Sequence, residues 1–164
     1  MKKVVSVSDI KVSNNPDDLI ITHALGSCLG ITLYDSVAKV GGMAHVMLPI
    51  SKADPDKAKA NPAMYVDTGF ATLLKMMYEL GAKKQNFELN VAGGASMKRG
   101  PGEDYFKIGQ RNFTTLRKLL WKNGFMISHQ QVGGNISRTM TLNISDGLVT
   151  INKEPLNAKT HCVV

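Results

Sequence analysis

Two cysteines, one tryptophan and an aromatic share of 6% are all that these 164 residues contain. Cys28 and Cys162 stand too far apart for a cysteine-based metal motif, and two such residues make no disulfide scaffold. No apolar run approaches the eighteen residues that a membrane-spanning helix needs, so no membrane insertion is expected. The first residues reach Asp9 before any long apolar stretch, which does not read as a secretory signal. What remains is the composition of a soluble globular domain, 43% apolar and 20% charged. The expectation is one cytoplasmic domain over residues 1–164 with reduced thiols, 153–164 forming a C-terminal tail.

Charge is plentiful but uneven around a net of +7. Between Lys98 and Lys122 lie seven bases (Lys98, Arg99, Lys107, Arg111, Arg117, Lys118, Lys122) against Glu103 and Asp104. Such a run is first a solvated helix surface and next a face for an acidic protein partner. Nucleic acid ranks third, because no recognised binding motif accompanies it.

Short β-branched segments dominate: Lys3–Val7, Leu19–Ala24, Cys28–Tyr34, Val40–Leu48, Phe87–Ala92, Phe125–Gln131, Arg138–Ile144 and Leu148–Asn152. Asp146-Gly147 between the last two is a strong hairpin signal. Val66, Phe70, Leu73, Leu74, Met77 and Leu80 recur at helical spacing before a Gly81 stop. A second helix from Gly109 to Asn123 carries Phe113, Leu116, Leu119 and Leu120 and ends at Gly124. Asp54–Asn61 reads as a polar surface loop. Helices that do not alternate with strands predict an α+β fold, a layered sandwich of mostly antiparallel strands with two main helices against it.

The chemistry concentrates around Leu25-Gly26-Ser27-Cys28-Leu29-Gly30 and Gly42-Met43-Ala44-His45. A thiol nucleophile needs a base to take its proton, and a hairpin would bring these two groups together. A four-residue loop, Asp35–Ala38, would pair Tyr34 with Lys39 and so set Cys28 directly opposite His45. Both would then lie on the face turned away from the core, with Gly30 and Gly41 clearing room for a substrate. Thr22, on the preceding strand, could orient the imidazole, although an uncharged hydroxyl stabilises an imidazolium less than a carboxylate does. Each residue also has a plain reading: Cys28 as a small buried hydrophobe, His45 as a satisfied histidine, Thr22 as a β-favouring residue. His23, His129, His161 and Cys162 lack a comparable pairing.

Two look-alike motifs fall short. Gly26–Gly30 has the outline of a nucleophile elbow, but the residues after it are strand-like where that elbow needs a helix. Gly93-Gly94-Ala95-Ser96-Met97-Lys98-Arg99-Gly100 lacks the Gly-Lys-Ser/Thr ending of a phosphate loop. It reads as a structural or substrate-facing loop.

At these residues the sequence resembles the CheD family, chemoreceptor glutamine deamidases of bacterial and archaeal chemotaxis. The resemblance runs through Leu25–Cys28, Asp35, Gly42–Pro49, Tyr65–Asp67, Gly93–Met97, Ile108–Asn112, and Gly133-Gly134 with Arg138. Ser137 stands where the family usually has glycine. The resemblance implies a fold similar to the deamidase domain of cytotoxic necrotizing factor toxins and a catalytic set of Cys28, His45 and Thr22. It implies no cofactor and no metal, and as partners chemoreceptors (methyl-accepting chemotaxis proteins) in receptor arrays and the phosphatase CheC. The expected chemistry is thiolate attack on a glutamine amide, with the oxyanion held by backbone N–H groups at the Gly26–Ser27 turn. The alternative is a non-catalytic adaptor that binds receptors or CheC; a transglutaminase or esterase using the same thioester is a further rival.

Overall fold

The computed structural model describes residues 1–97, 107–156 and 160. Nine strands form two sheets. One sheet has the order β1 (Lys2–Val4), β3 (Leu19–Leu25), β8 (Ile136–Asn143) and β9 (Val149–Pro155). The other runs β2 (Asp9–Ser13), β5 (Val40–Val46), β4 (Leu29–Asp35), β6 (Phe87–Gly93) and β7 (His129–Val132). The β1–β3 and β6–β7 pairs are parallel and the others antiparallel. Two long helices, α2 (Val66–Glu79) and α3 (Ile108–Lys122), a short one, α1 (Pro55–Ala60), and 3-10 turns at Ser51–Ala53, Pro62–Met64 and Lys84–Asn86 complete the described elements.

Three layers result: sheet, sheet, helices. Strand alternation sends Leu29, Ile31 and Leu33 of β4 with Ala44 and Val46 of β5 toward α2 and α3, where Val66, Phe70, Leu73 and Leu116 close one core. The opposite face of the same strands sends Tyr34 and Met43 against Ile20, Met140 and Leu142 of the other sheet. The centre of the five-stranded sheet is therefore buried on both faces: every residue of β4 and β5 is buried. The second face, expected to be open, is covered by a whole sheet.

The glycines explain how closely that cover lies. A Cβ on Gly41 would meet Ile144 Cδ1 at 2.6 Å, and one on Gly30 would meet Leu25 Cδ1 at 2.9 Å and Met140 Sδ at 3.0 Å. These glycines make room for the facing sheet, not for substrate. Gly147 (φ 76°) in the β8–β9 turn lies flat on the Tyr34 ring, whose hydroxyl donates to Ile144 O at 2.8 Å.

Boundaries depart from expectation where side chains or caps intervene. β2 was not anticipated: its Asp-Ile-Lys-Val-Ser sequence is too polar to announce a strand, and it sits at a sheet edge beside β5. Asp54–Asn61 is mostly helix, because Pro55 fits the first turn and the Asp54 carboxylate accepts from Lys57 N–H. Phe125–Ser128 is not strand. Gly124 (φ 73°) ends α3, Phe125 N–H donates back to Leu120 O, and the Phe125 ring meets Phe70 edge-on at 5.3 Å. β9 runs to Pro155, past the residue at which a C-terminal tail is expected to begin. His161 and Cys162 lie outside the described residues.

Asp35 fixes the β4–β5 connection. Its carboxylate accepts from Val37 and Ala38 N–H at 2.9 Å within the loop, from Lys83 N–H at 2.8 Å and from Asn86 Nδ2 at 3.3 Å. Burial pushes the carboxyl up, but the hydrogen bonds from Ala38, Lys83, Asn86 and Val37 outweigh it and hold the pKa below the ordinary value. A depressed carboxylate stabilises the fold above its unfolded pKa of about 4, and that contribution fades as pH falls through the native value. Asp35→Asn is expected to lose about 1–3 kcal/mol at pH 7. Urea melts at pH 7 and pH 3 check this: the gap between variant and wild type should narrow at the lower pH.

Candidate active site

The residues picked out by sequence converge at one end of the sandwich, in a register two positions from the expected one. β4 and β5 pair Gly30 with His45 and Asp35 with Val40, so the loop is Ser36–Lys39. The cause is Asp35, which stays in the strand and caps the loop with its side chain, while Lys39 takes a φ of 57°. Cys28 thus sits one step outside β4 and diagonal to His45. An even shift preserves the face, and diagonal neighbours lie about 7–8 Å apart at Cα, within reach of an imidazole. The pair points between the sheets: Cys28 is 1% exposed and His45 is fully buried.

Thr22 reaches His45 from the facing sheet. Its Oγ1 lies 2.7 Å from His45 Nδ1 and also 2.7 Å from Val5 O. Thr22 pairs with Met140, after which β3 bulges before Leu25 meets Arg138, with Ala24 at a φ of 55°. The bulge turns His23 out to solvent and returns Leu25 to the core.

The cysteine turn is held by its carbonyls. Gly26 O accepts from Ala95 N–H, and Cys28 O from Gly94 N–H, both at 2.9 Å. Ser27 O accepts from Asn112 Nδ2 at 2.9 Å, and the same nitrogen donates to Met47 O at 2.9 Å. Asn112 thereby ties the turn carrying Cys28 to the chain just beyond His45. Two glycines allow this seating. A Cβ on Gly93 (φ 108°) would collide with Cys28 O, and one on Gly109 would collide with the Ala95 carbonyl, where α3 docks. The 93–97 segment is therefore a structural cradle for the thiol.

In the sequence Asn112 stands out only as part of a matching motif. Its role carries a physical signal: it is a polar residue on the buried stripe of α3, in step with Gly109, Leu116 and Leu120. Among the described members of the basic run, Lys107, Arg111, Arg117, Lys118 and Lys122 are all exposed, whereas Lys98, Arg99, Glu103 and Asp104 lie outside the described residues.

A thiol, an imidazole and a hydroxyl are the side-chain types that cysteine-dependent acyl transfer uses. The family model for CheD chemotactic sensory transduction matches residues 47–153. A protein of Syntrophus aciditrophicus called probable chemoreceptor glutamine deamidase CheD 1 is 46% identical over 90% of this chain and 91% of its own. One from Solibacter usitatus, with the name probable chemoreceptor glutamine deamidase CheD, is 42% identical over 88% and 84%. The chemoreceptor glutamine deamidase CheD of Thermotoga maritima is 40% identical over 93% and 92%. This chain belongs to the CheD family. A crystal structure of Neisseria meningitidis protein NMB0706, family-model DUF152, covers 81% of this chain and 63% of that one at 8% identity with a TM-score of 0.43, too distant to bear on the site.

Removing the Asn112 bridge should loosen the cysteine turn while α3 keeps its apolar stripe. In Asn112→Ala, alkylation of Cys28 at neutral pH should change by at least about tenfold, a displacement of about 1 Å being enough for larger effects in oriented sites. Iodoacetamide kinetics across pH, with circular dichroism as the fold control, check this.

Proposed function

We propose that this chain is a protein-glutamine deamidase of chemoreceptors and that it works through a thioester on Cys28. The observation that carries the chemistry is the Thr22 hydroxyl with two partners at 2.7 Å. A hydroxyl has one proton, and Val5 O can only accept. Thr22 must then accept from His45 Nδ1–H, which leaves the Nε2 lone pair of the neutral imidazole to take a proton from sulfur.

The steps follow from that tautomer. His45 Nε2 removes the Cys28 proton, and the thiolate attacks the side-chain carbonyl carbon of a glutamine. In planar trans peptides, the Ser27 and Cys28 N–H groups point away from the carbonyls held by Ala95 and Asn112, and on that side they would meet the oxyanion. One such donor is worth about 2.7–4 kcal/mol. The imidazolium gives its proton to the departing nitrogen, releasing ammonia and leaving a thioester. Water deprotonated by the same Nε2 then releases glutamate and restores the thiol. The scheme calls for no cofactor.

No described helix is long and apolar enough to cross a membrane, and the substrate would be met as the cytoplasmic part of a receptor array. Where the phosphatase CheC is present it is proposed as a second partner, on family resemblance. The 1% exposure of Cys28 favours one competing reading, an adaptor that binds receptors without turning over. Mass spectrometry of a receptor fragment separates the two. Wild-type protein should exchange glutamine NH₂ for OH, and Cys28→Ala should not; equal conversion by both would remove Cys28 as nucleophile.

Thr22→Val tests the tautomer. Leaving the buried Nδ1–H without an acceptor costs about 1–3 kcal/mol, so kcat/KM should fall by about 10- to 100-fold. Thr22→Ser, which keeps the hydroxyl, should retain most of the rate.

A further inference from the structure

Arg138 has no part in the chemistry above, yet it is the most anomalous charge in the fold. It is 6% exposed in β8, between the two sheets, opposite Leu25. Its Nη1 donates to Gly93 O at 3.2 Å, and its Nε is buried with no hydrogen-bond partner. No carboxylate among the described residues forms an ion pair with it. Burying a cation without a counter-charge is costly, and proteins ordinarily pair such groups. A single contact to a carbonyl does not call for a guanidinium, since any neutral donor would serve.

Its surroundings indicate what would. A Cβ on Gly134 would sit 3.9 Å from Nη2, so the guanidinium lies just beneath the glycine pair Gly133-Gly134. Those glycines line a groove of about 700 Å³ together with Gly94, Ser96, Lys107 and Arg117, and no acidic residue lines it among the described residues. Gly94 is also the residue whose N–H holds Cys28 O, and Gly93 O accepts from both Gly133 N–H and Arg138. The groove therefore begins at the segment that seats the thiol, and the buried cation sits under that end.

We propose that Arg138 is the floor of a carboxylate subsite, which takes the acidic side chain of a residue flanking the target glutamine. Arg presents parallel donors that match a carboxylate in two-point contact, and low dielectric around them strengthens the pair. Lys107 and Arg117 draw the acidic segment in along the groove. The identity of the occupant rests on the deamidase reading; the anion site itself does not.

Two synthetic helical peptides serve as probes, each with one glutamine, flanked by glutamate in one and by serine in the other. With wild-type protein, kcat/KM should favour the glutamate-flanked peptide by about tenfold to a hundredfold, mostly through KM. In Arg138→Met that ratio should fall toward one, with Arg138→Lys between. The melting temperature of Arg138→Met should hold or rise, because a buried charge with no carboxylate partner among the described residues has been replaced by an apolar chain of similar length. No wild-type preference, a preference that survives in Arg138→Met, or a lowered melting temperature or unfolded variant would overturn the proposal, the last marking Arg138 as a structural pin. The deamidated, serine-flanked peptide provides a control. If Arg138→Met relieves inhibition by that product but leaves the flank preference intact, the carboxylate held is the product's and the proposal is wrong. Failure of the deamidase reading looks different: neither peptide gains mass, yet full-length Cys28→Ala still binds the glutamate-flanked peptide more tightly, and Arg138→Met in that background abolishes the difference.

Discussion

A hydroxyl can give one proton, and in this fold Thr22 gives it to Val5 O. Everything proposed for the thiol depends on that commitment. Thr22 belongs to β3 and His45 to β5, so the bond crosses between sheets and sets the protonated edge of the imidazole by sheet-to-sheet packing. Unlike the carboxylate of a serine protease triad, threonine holds the tautomer without adding charge. An acid/base built this way relies on exclusion of water, because in solvent Nδ1 would find partners and the tautomer would no longer be fixed. Full burial of Thr22 and His45 supplies that exclusion.

Burial also explains the glycines, which the sequence leaves open to several meanings. Gly30 and Gly41 let the second sheet approach, Gly93 lets the cysteine turn lie on β6, and Gly109 lets α3 meet the 94–95 segment. Each removes a side chain where two backbones or layers must nearly touch. Asn112 then performs with one amide nitrogen what a further strand pair would do, linking the two carbonyls that border the site. Positioning here is accomplished by main chain and short polar groups, which leave few rotamers to misplace the sulfur.

Much of this was legible in order and type of element. Apart from β2, the strands, the two long helices and the glycine stops follow from periodicity and turn chemistry, because β4, α2 and α3 repeat apolar residues at strand or helix spacing, with Asn112 the polar exception on the α3 stripe. The convergence of Cys28 and His45 on one face was also legible, since parity survives any even slip. The exact register was not: it turns on whether Asp35 ends a strand or caps a loop, and the hydrogen bonds it accepts from Lys83 and Asn86 come from 48 and 51 residues away. Nor could local pattern reveal that β4 and β5 are covered on both faces, because a small or polar residue facing another sheet looks the same as one facing water. Asn112 and Arg138 were hidden for the same reason, each being an ordinary polar letter whose burial is decided by distant segments.

Covering the proposed nucleophile is at odds with presenting it, and the position of the proposed site within the sandwich bears on how both are met. Cys28 lies just before β4, His45 one residue before the end of β5, Gly93 at the end of β6, and Arg138 near the start of β8. All four sit where strands end. Strand ends open locally at far lower free energy than strand centres, because few ladder bonds and little core area are given up. The central contacts of Ile31, Leu33, Val91 and Phe70 lie further along and need not move. A site at the rim of the layers can thus stay dry and ordered at rest and still admit a side chain. Admission of this kind favours a substrate that brings its own binding energy to the adjoining groove, and the proposed carboxylate subsite over Arg138, which has no ion-pair partner among the described residues, would offer an acidic segment such energy close to the point of entry.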